Sequence, residues 1–247
     1  MLNPILYSLY SLSGLICAFF LSWLLLNPAN FAYSWLHDVM DISAHTQKYG
    51  PQNPFRNGFQ YTDKAERVRL FSSINQSIHN DGKDLARIQY HTPNGQVIDS
   101  LLRHPEIVHL RDVSKLISFF YQVGFAATFL WLILILSFFI SKKPLPNYKF
   151  QGFSILSVVA LCTILVLIIG PVNVFYTLHE WVFPSNHKWF FYYQESLMTI
   201  LMKAPDLFGA ISIILTVLAL GIFAALNLSG HYLEEKLYKQ QASKPKE

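Results

Sequence analysis

Hydrophobic positions in this chain gather into long runs separated by polar segments. Residues 1–36, 116–141, 150–178 and 207–230 contain no Asp, Glu, Lys or Arg. Each run is longer than the roughly 20 apolar residues that carry a helix across about 30 Å of hydrocarbon, so the pattern predicts four membrane-spanning helices. The polar stretch after the first run has weaker signals. Asp63-x-x-Glu66 marks a helix start, and Val68, Phe71, Ile74 and Ile78 recur at helical spacing. Asn80-Asp81-Gly82 ends that helix, and Ile88-Gln-Tyr-His and Gln96-Val-Ile flank Pro93-Asn94-Gly95 as a small hairpin. A further helix begins near His104-Pro105 and runs unbroken into the second span.

The expected fold is a mainly α membrane protein, with four transmembrane helices and a small α/β extracytoplasmic cap. Its segments are a first transmembrane helix over residues 1–27, the cap over 28–113, a second helix over 114–141 and a cytoplasmic loop over 142–149. A third helix follows over 150–178, then an extracytoplasmic aromatic interfacial segment over 179–206, a fourth helix over 207–230 and a cytoplasmic tail over 231–247.

Composition agrees: 52% of residues are hydrophobic and only 14% charged, against about 25% charged in soluble domains. A free-standing soluble enzyme is excluded. The first run has no Lys or Arg ahead of it, and its apolar stretch over residues 5–26 exceeds a signal peptide's core of about 7–15 residues, so it reads as a retained span. Lys142, Lys143 and Lys149 between spans two and three, with Lys236, Lys239, Lys244 and Lys246 in the tail, place both in the cytoplasm by the positive-inside rule. Four spans then put both termini there. Residues 27–115 hold ten Lys/Arg and nine Asp/Glu, a charge-balanced, water-facing segment. The net charge of +4 comes from no clustered basic face, so nucleic acid is not a partner. Cys17 and Cys162 both fall inside predicted spans, and neither a disulfide framework nor a zinc site can be built from them.

No nucleophile elbow, P-loop, dinucleotide fingerprint or His-Glu-x-x-His motif occurs. Two histidines stand out by position. His109 precedes the second span and His179 follows the third, so topology brings both to the outer leaflet from distant parts of the chain. Asp112, one helical turn beyond His109, is placed to hold that imidazole in one tautomer. His104, His109, His179 and His187 lack the spacing and the carboxylate or Cys partners of a metal set, so no metal is expected. His37, His45, His79 and His91 have no partner pattern and receive no role. From the residues alone, the two histidines are a candidate acid–base pair or interfacial anchors. Two further readings stay open, a non-enzymatic membrane protein whose cap binds a partner, and an acyltransferase or hydrolase acting on free phospholipid.

Two blocks carry a family likeness. His109-Leu-Arg-Asp112-Val113-x-x-Leu116, and His179-Glu-Trp-Val-Phe183-Pro184 followed by Trp189-x-Phe191, resemble the signature blocks of the bacterial lipoprotein intramolecular transacylase family. The likeness in layout extends over the whole chain. Ser114 stands where the family often has Lys, and Tyr192-Tyr193-Gln194-Glu195-Ser196 replaces its Asp-Pro-rich run. The resemblance implies a multi-pass protein of the bacterial plasma (inner) membrane with its active site at the outer leaflet. The implied reaction moves the sn-2 acyl chain of a lipoprotein's diacylglyceryl-cysteine to the cysteine α-amine, giving the lyso-form. The implied partners are the diacylglyceryl-modified lipoprotein and membrane lipid, and no cofactor is required. His109, His179 and Asp112 would be catalytic. Arg111 would hold a substrate carbonyl or oxyanion, and Trp181, Phe183, Trp189 and Phe191 would wall the site.

Overall fold

The computed structural model describes residues 4–242; Lys244 and Lys246 of the basic tail lie outside the described residues. Four helices are long and apolar enough to cross a membrane: α1 (Pro4–Leu26), the helix His104–Ile140, the helix Tyr148–Ile169 and the helix beginning at Asp206. Numbered in chain order, α2 is Tyr33–Val39, α3 Ile42–Tyr49, α4 Lys64–Ile78, α5 His104–Ile140, α6 Tyr148–Ile169, α7 Pro171–Val182, α8 Leu197–Met202 and α9 Asp206–Ala242. Strands β1 (Gln89–His91) and β2 (Val97–Ser100) pair antiparallel, with a bulge between Tyr90 and His91.

The chain divides into two compact units, and α5 and α9 each contribute to both. One unit comprises the described residues of Met1–Leu24, Tyr121–Val174 and Leu215–Glu247. Its apolar helices pack through aromatic rings seated on small residues. Tyr10 is buried against Trp131 and Phe138, at centroid distances of 6.1 and 5.9 Å. A Cβ on Gly14 would stand 2.9 Å from the Trp131 indole, and one on Gly124 would stand 2.4 Å from the Phe20 ring. Only glycine lets these helices approach so closely. At the end carrying the basic loop, Glu234 accepts from the Leu145 N–H at 3.1 Å. His231 bridges Glu234 and the Pro146 carbonyl.

The charge-free run 150–178 is not one helix. Helix α6 ends at Ile169, Gly170 takes φ +89°, and α7 starts at Pro171. Glycine accepts the positive φ that closes a helix, and proline suits the first turn of the next. Apolarity predicted the length of the run, whereas the local Gly-Pro pair decided where its helix breaks.

The other unit comprises Leu25–Phe120 and Phe175–Ile214. Helix α4 starts where its sequence says: the Asp63 carboxylate accepts from the Glu66 N–H at 2.7 Å. Its inward face is rotated from the expected Val68–Ile78 stripe, because Arg67 is buried with Leu70, Phe71 and Ile74. The Arg67 guanidinium finds its partners inside. It donates to His37 Nε2 and Ser43 Oγ at 2.9 Å each, and to the carbonyl and hydroxyl of Thr62. A buried charge is tolerated only with such satisfaction. Tyr33 stacks on Phe71 at 4.1 Å and donates to the Leu201 carbonyl at 2.7 Å. Glu66 and Arg69 bond the backbone of His91 and Gln89, seating the hairpin on α4.

Residues of the expected interfacial segment pack directly into this unit. Lys203 donates to the Met40 carbonyl at 2.8 Å, and the His45 ring lies 4.7 Å from Tyr49 and 4.4 Å from Tyr193. Burial, reinforced by Lys203, pulls the His45 pKa down to about 4. His37 and His79 are shifted in the same direction by burial.

Unfolded histidine titrates near 6.5. Between there and about 4 the unfolded chain takes up protons that the folded His45 refuses. The stability tied to a neutral His45 is therefore complete above about pH 6.5 and is lost as pH falls toward 4. Melting temperatures measured in detergent from pH 7.5 to 4.5 are expected to decline below pH 6.5. His45→Phe, which keeps the ring contacts without the proton, should flatten that decline.

Candidate active site

The first turns of α5 position the site, because residues 106, 109 and 112 share one face at successive intervals of three. Glu106 is fully buried, and its carboxylate accepts from the Arg103 backbone N–H at 2.5 Å and from the Ser196 hydroxyl. Burial pushes the Glu106 carboxyl up, against these bonds. Two turns along the helix, Asp112 Oδ2 accepts from His187 Nδ1 at 2.5 Å, and Oδ1 accepts from Lys115 Nζ at 3.0 Å. Burial opposes the charge on Asp112, but His187 and Lys115 outweigh it and hold the carboxyl below the usual carboxylate range. The loop after α7 is thus tied to α5 at two points, and His109 lies between them.

That loop lays rings over His109. The imidazole is 4.8 Å from the Phe183 ring and 5.9 Å from Phe191, both of which are buried. His179, on α7, packs on Phe183 at 5.5 Å and on Trp189 at 4.8 Å. With both imidazoles against one phenyl ring, their centroids are at most about 10 Å apart. His109 Nδ1 is buried and, among the described residues, makes no hydrogen bond. His109 lies ahead of the charge-free part of α5, outside the hydrocarbon-crossing residues. Burial there pulls its pKa down to about 4, with the neighbouring His179 adding to the shift and Asp112 opposing it. The imidazole is therefore neutral at physiological pH and can donate or accept through its free nitrogen.

The structure brings together His109, His179, Phe183, Trp189 and Phe191. It redirects Asp112, expected on the His109 imidazole, to His187. The physical reason is reach: Asp112 faces the incoming loop, whose Pro184–His187 turn, closed by a 2.9 Å backbone bond, delivers the His187 ring to the carboxylate. Two expected residues stay outside the group. Trp181 is 80% exposed. Arg111 is two residues, about 200°, around the helix from His109, with its aliphatic stem against Gly82. A cavity of about 360 Å³ in the same unit is lined by Arg69, Ser77, Lys83, Arg87 and His91 among others, and by none of the expected site residues. Sequence reasoning weighed His187 only as a metal ligand. Nothing in its local sequence points to a carboxylate 75 residues away.

No curated protein matches the chain by sequence. Three solved structures of the membrane integral lipoprotein intramolecular transacylase Lit from Bacillus cereus resemble it in fold. One matches at 17% identity with a TM-score of 0.62, covering 97% of each chain. Two others, each with a substitution at one histidine, match at 16% and 18% identity with TM-scores of 0.65 and 0.64. They cover 96% and 97% of this chain, and 92% and 95% of their own. The family described as lipoprotein intramolecular transacylase Lit matches residues 56–204, a stretch that contains both histidine blocks. The matched span is more than half of the chain, the four apolar helices and the helical fold agree with it, and the chain belongs to the lipoprotein intramolecular transacylase family, membrane-integral transferases that carry out intramolecular acyl transfer on lipoproteins.

Proposed function

We propose that the protein moves the sn-2 acyl chain of a diacylglyceryl-cysteine to the α-amine of the same cysteine, leaving a lyso-form lipoprotein, with His109 and His179 as its acid–base residues. The observation that carries this reading is the pair of imidazoles, from segments 70 residues apart in the chain, packed on the single ring of Phe183. Ester and amine belong to one substrate, so the enzyme needs no acyl-enzyme intermediate. Holding the two groups in contact supplies several kcal/mol of the barrier reduction, and the rings of Phe183, Trp189 and Phe191 form a rigid apolar wall for that purpose. A free α-amine titrates near 7.7–8.0 and must be neutral to attack, and the leaving glyceryl oxygen must gain a proton. One imidazole can take the amine proton, and an imidazolium can give one to the leaving oxygen.

The same reading assigns the site to the outer leaflet of the bacterial plasma membrane and both termini to the cytoplasm, with the cap over residues 28–113 and the interfacial segment over 179–206 facing outward. Its support is the Lys142, Lys143 and Lys149 loop. A phosphatase reporter, which matures only outside the cytoplasm, should be inactive when fused after Glu247 and active when inserted in the turn at Asn94-Gly95. The reverse pattern would overturn the orientation.

Mass spectrometry of lipoprotein N-terminal peptides reads the chemistry directly, because the reaction shifts one acyl group from glyceryl ester to amide. His109→Ala and His179→Ala are each expected to lower the rate by about 10²-fold or more with the protein still inserted and folded. The double variant should lose little beyond either single one, as for groups acting as a unit. Asp112→Asn should fall between these variants and wild type. Near-wild-type activity in a folded His179→Ala protein would end the paired-histidine mechanism.

A further inference from the structure

We propose that His187 is a further catalytic residue of this reaction: held by Asp112, it takes the proton from the attacking amine. The proposal rests on the acyl-transfer reading above and adds a base to it.

The geometry is that of a carboxylate-backed imidazole. Asp112, only 7% exposed, receives the His187 Nδ1–H at 2.5 Å. With Nδ1 donating, the lone pair is on Nε2, the tautomer a proton acceptor needs. The carboxylate also offsets the positive charge that builds on the ring as Nε2 is protonated. The ring is 29% exposed, so a substrate can reach it. Its position is fixed twice over, by Asp112 and by the backbone bond from His187 N–H to the Pro184 carbonyl at 2.9 Å. That turn directly follows Phe183, the ring shared by His109 and His179. Asp112 is also one turn beyond His109 on α5, a spacing that brings the two side chains to within about 5–6 Å at Cβ. The dyad is thus joined to His109 through α5 and to Phe183 through the loop. The charged groups nearby are Lys115, bonded to the second Asp112 oxygen, and Lys188 and Glu195, paired with each other at 2.9 Å on the loop.

The three histidines differ in what they suit. His109 sits among phenyl rings with an unpartnered Nδ1 and a pKa of about 4, a weak proton acceptor near neutrality and a good uncharged donor to an ester carbonyl. His187 is bonded to a carboxylate and is 29% exposed. In the step assigned to it, the amine nitrogen bonds to the sn-2 carbonyl carbon and its proton passes to His187 Nε2. The carbon–glyceryl oxygen bond then breaks, and the glyceryl oxygen leaves with a proton from the His109–His179 pair, which the His187 imidazolium replaces. One ester becomes one amide and one alcohol, with no net gain or loss of protons.

The test uses the full-length protein in vesicles with a diacylglyceryl-modified lipopeptide, following amide formation by mass spectrometry. His187→Gln keeps an N–H for Asp112, and so keeps the loop tied, but it has no nitrogen that accepts a proton. It is expected to lower kcat by about 10²-fold with KM and melting temperature little changed. His187→Ala should be restored, saturably, by added imidazole, which a loop-tethering role would not predict. Wild-type kcat in His187→Gln overturns the assignment. A folded His187→Ala protein that imidazole does not rescue also overturns it, leaving His187 a tether. If His187→Ala does not fold, the kcat of a folded His187→Gln protein decides alone. An inert wild-type protein sinks the acyl-transfer reading and this assignment together, whereas an active wild type beside an unaffected His187→Gln sinks this assignment only.

Discussion

Helix α5 is longer than a bilayer requires, and the rest of the site depends on that excess. Its 37 residues extend about 55 Å at 1.5 Å per residue, against roughly 30 Å of hydrocarbon. The surplus falls at the N-terminal end, where Glu106, His109 and Asp112 line one face. A span cannot break its backbone hydrogen bonds inside lipid without heavy cost, so an unbroken helix is the stiffest support available for these side chains. Each outer member of the trio captures a point on the loop after α7, Glu106 through Ser196 and Asp112 through His187. The middle member is left facing the rings that the loop carries.

This arrangement explains how a small unit holds an aromatic site without an extensive sheet. The two strands are short and are seated on α4 by side-chain bonds to their backbone rather than by further strands. Ordering in the unit comes from buried polar ties placed between apolar contacts. Arg67, satisfied by His37, Thr62 and Ser43, orders the start of the cap, and Tyr33 joins it to α8 through the Leu201 carbonyl. Such ties are costly to leave half-made, and they therefore specify a single packing where apolar surfaces alone would tolerate several.

Three imidazoles lie on α5, on α7 and on the loop after α7. Here their surroundings differ: His109 is enclosed by phenyl rings, His179 stacks on an indole, and His187 is bonded to a carboxylate. Differences in environment are what separate acid, base and hydrogen-bond donor when the side-chain type is the same. The placement also accounts for the absence of a nucleophile elbow from the sequence, since a substrate that carries its own nucleophile needs proton management and alignment instead.

Much of this was readable in the chain. Four spans follow from uncharged runs because lipid admits only satisfied helices. The α4 start at Asp63, the hairpin around Asn94-Gly95 and the α5 start at His104 follow from local capping and turn chemistry. His109, His179, Phe183, Trp189 and Phe191 were reachable from topology and motif, because consecutive spans bring the start of the second and the end of the third to one level. Contacts between distant residues were not. The rotation of α4 that buries Arg67, the exposure of Trp181, the turning of Arg111 toward Gly82 and the transfer of Asp112 from His109 to His187 each depend on which loop reaches which helix face. Sequence periodicity records only a residue's own helix or strand. A hydrogen bond spanning 75 residues is decided by where packing delivers the loop, and that information exists only once the chain has folded.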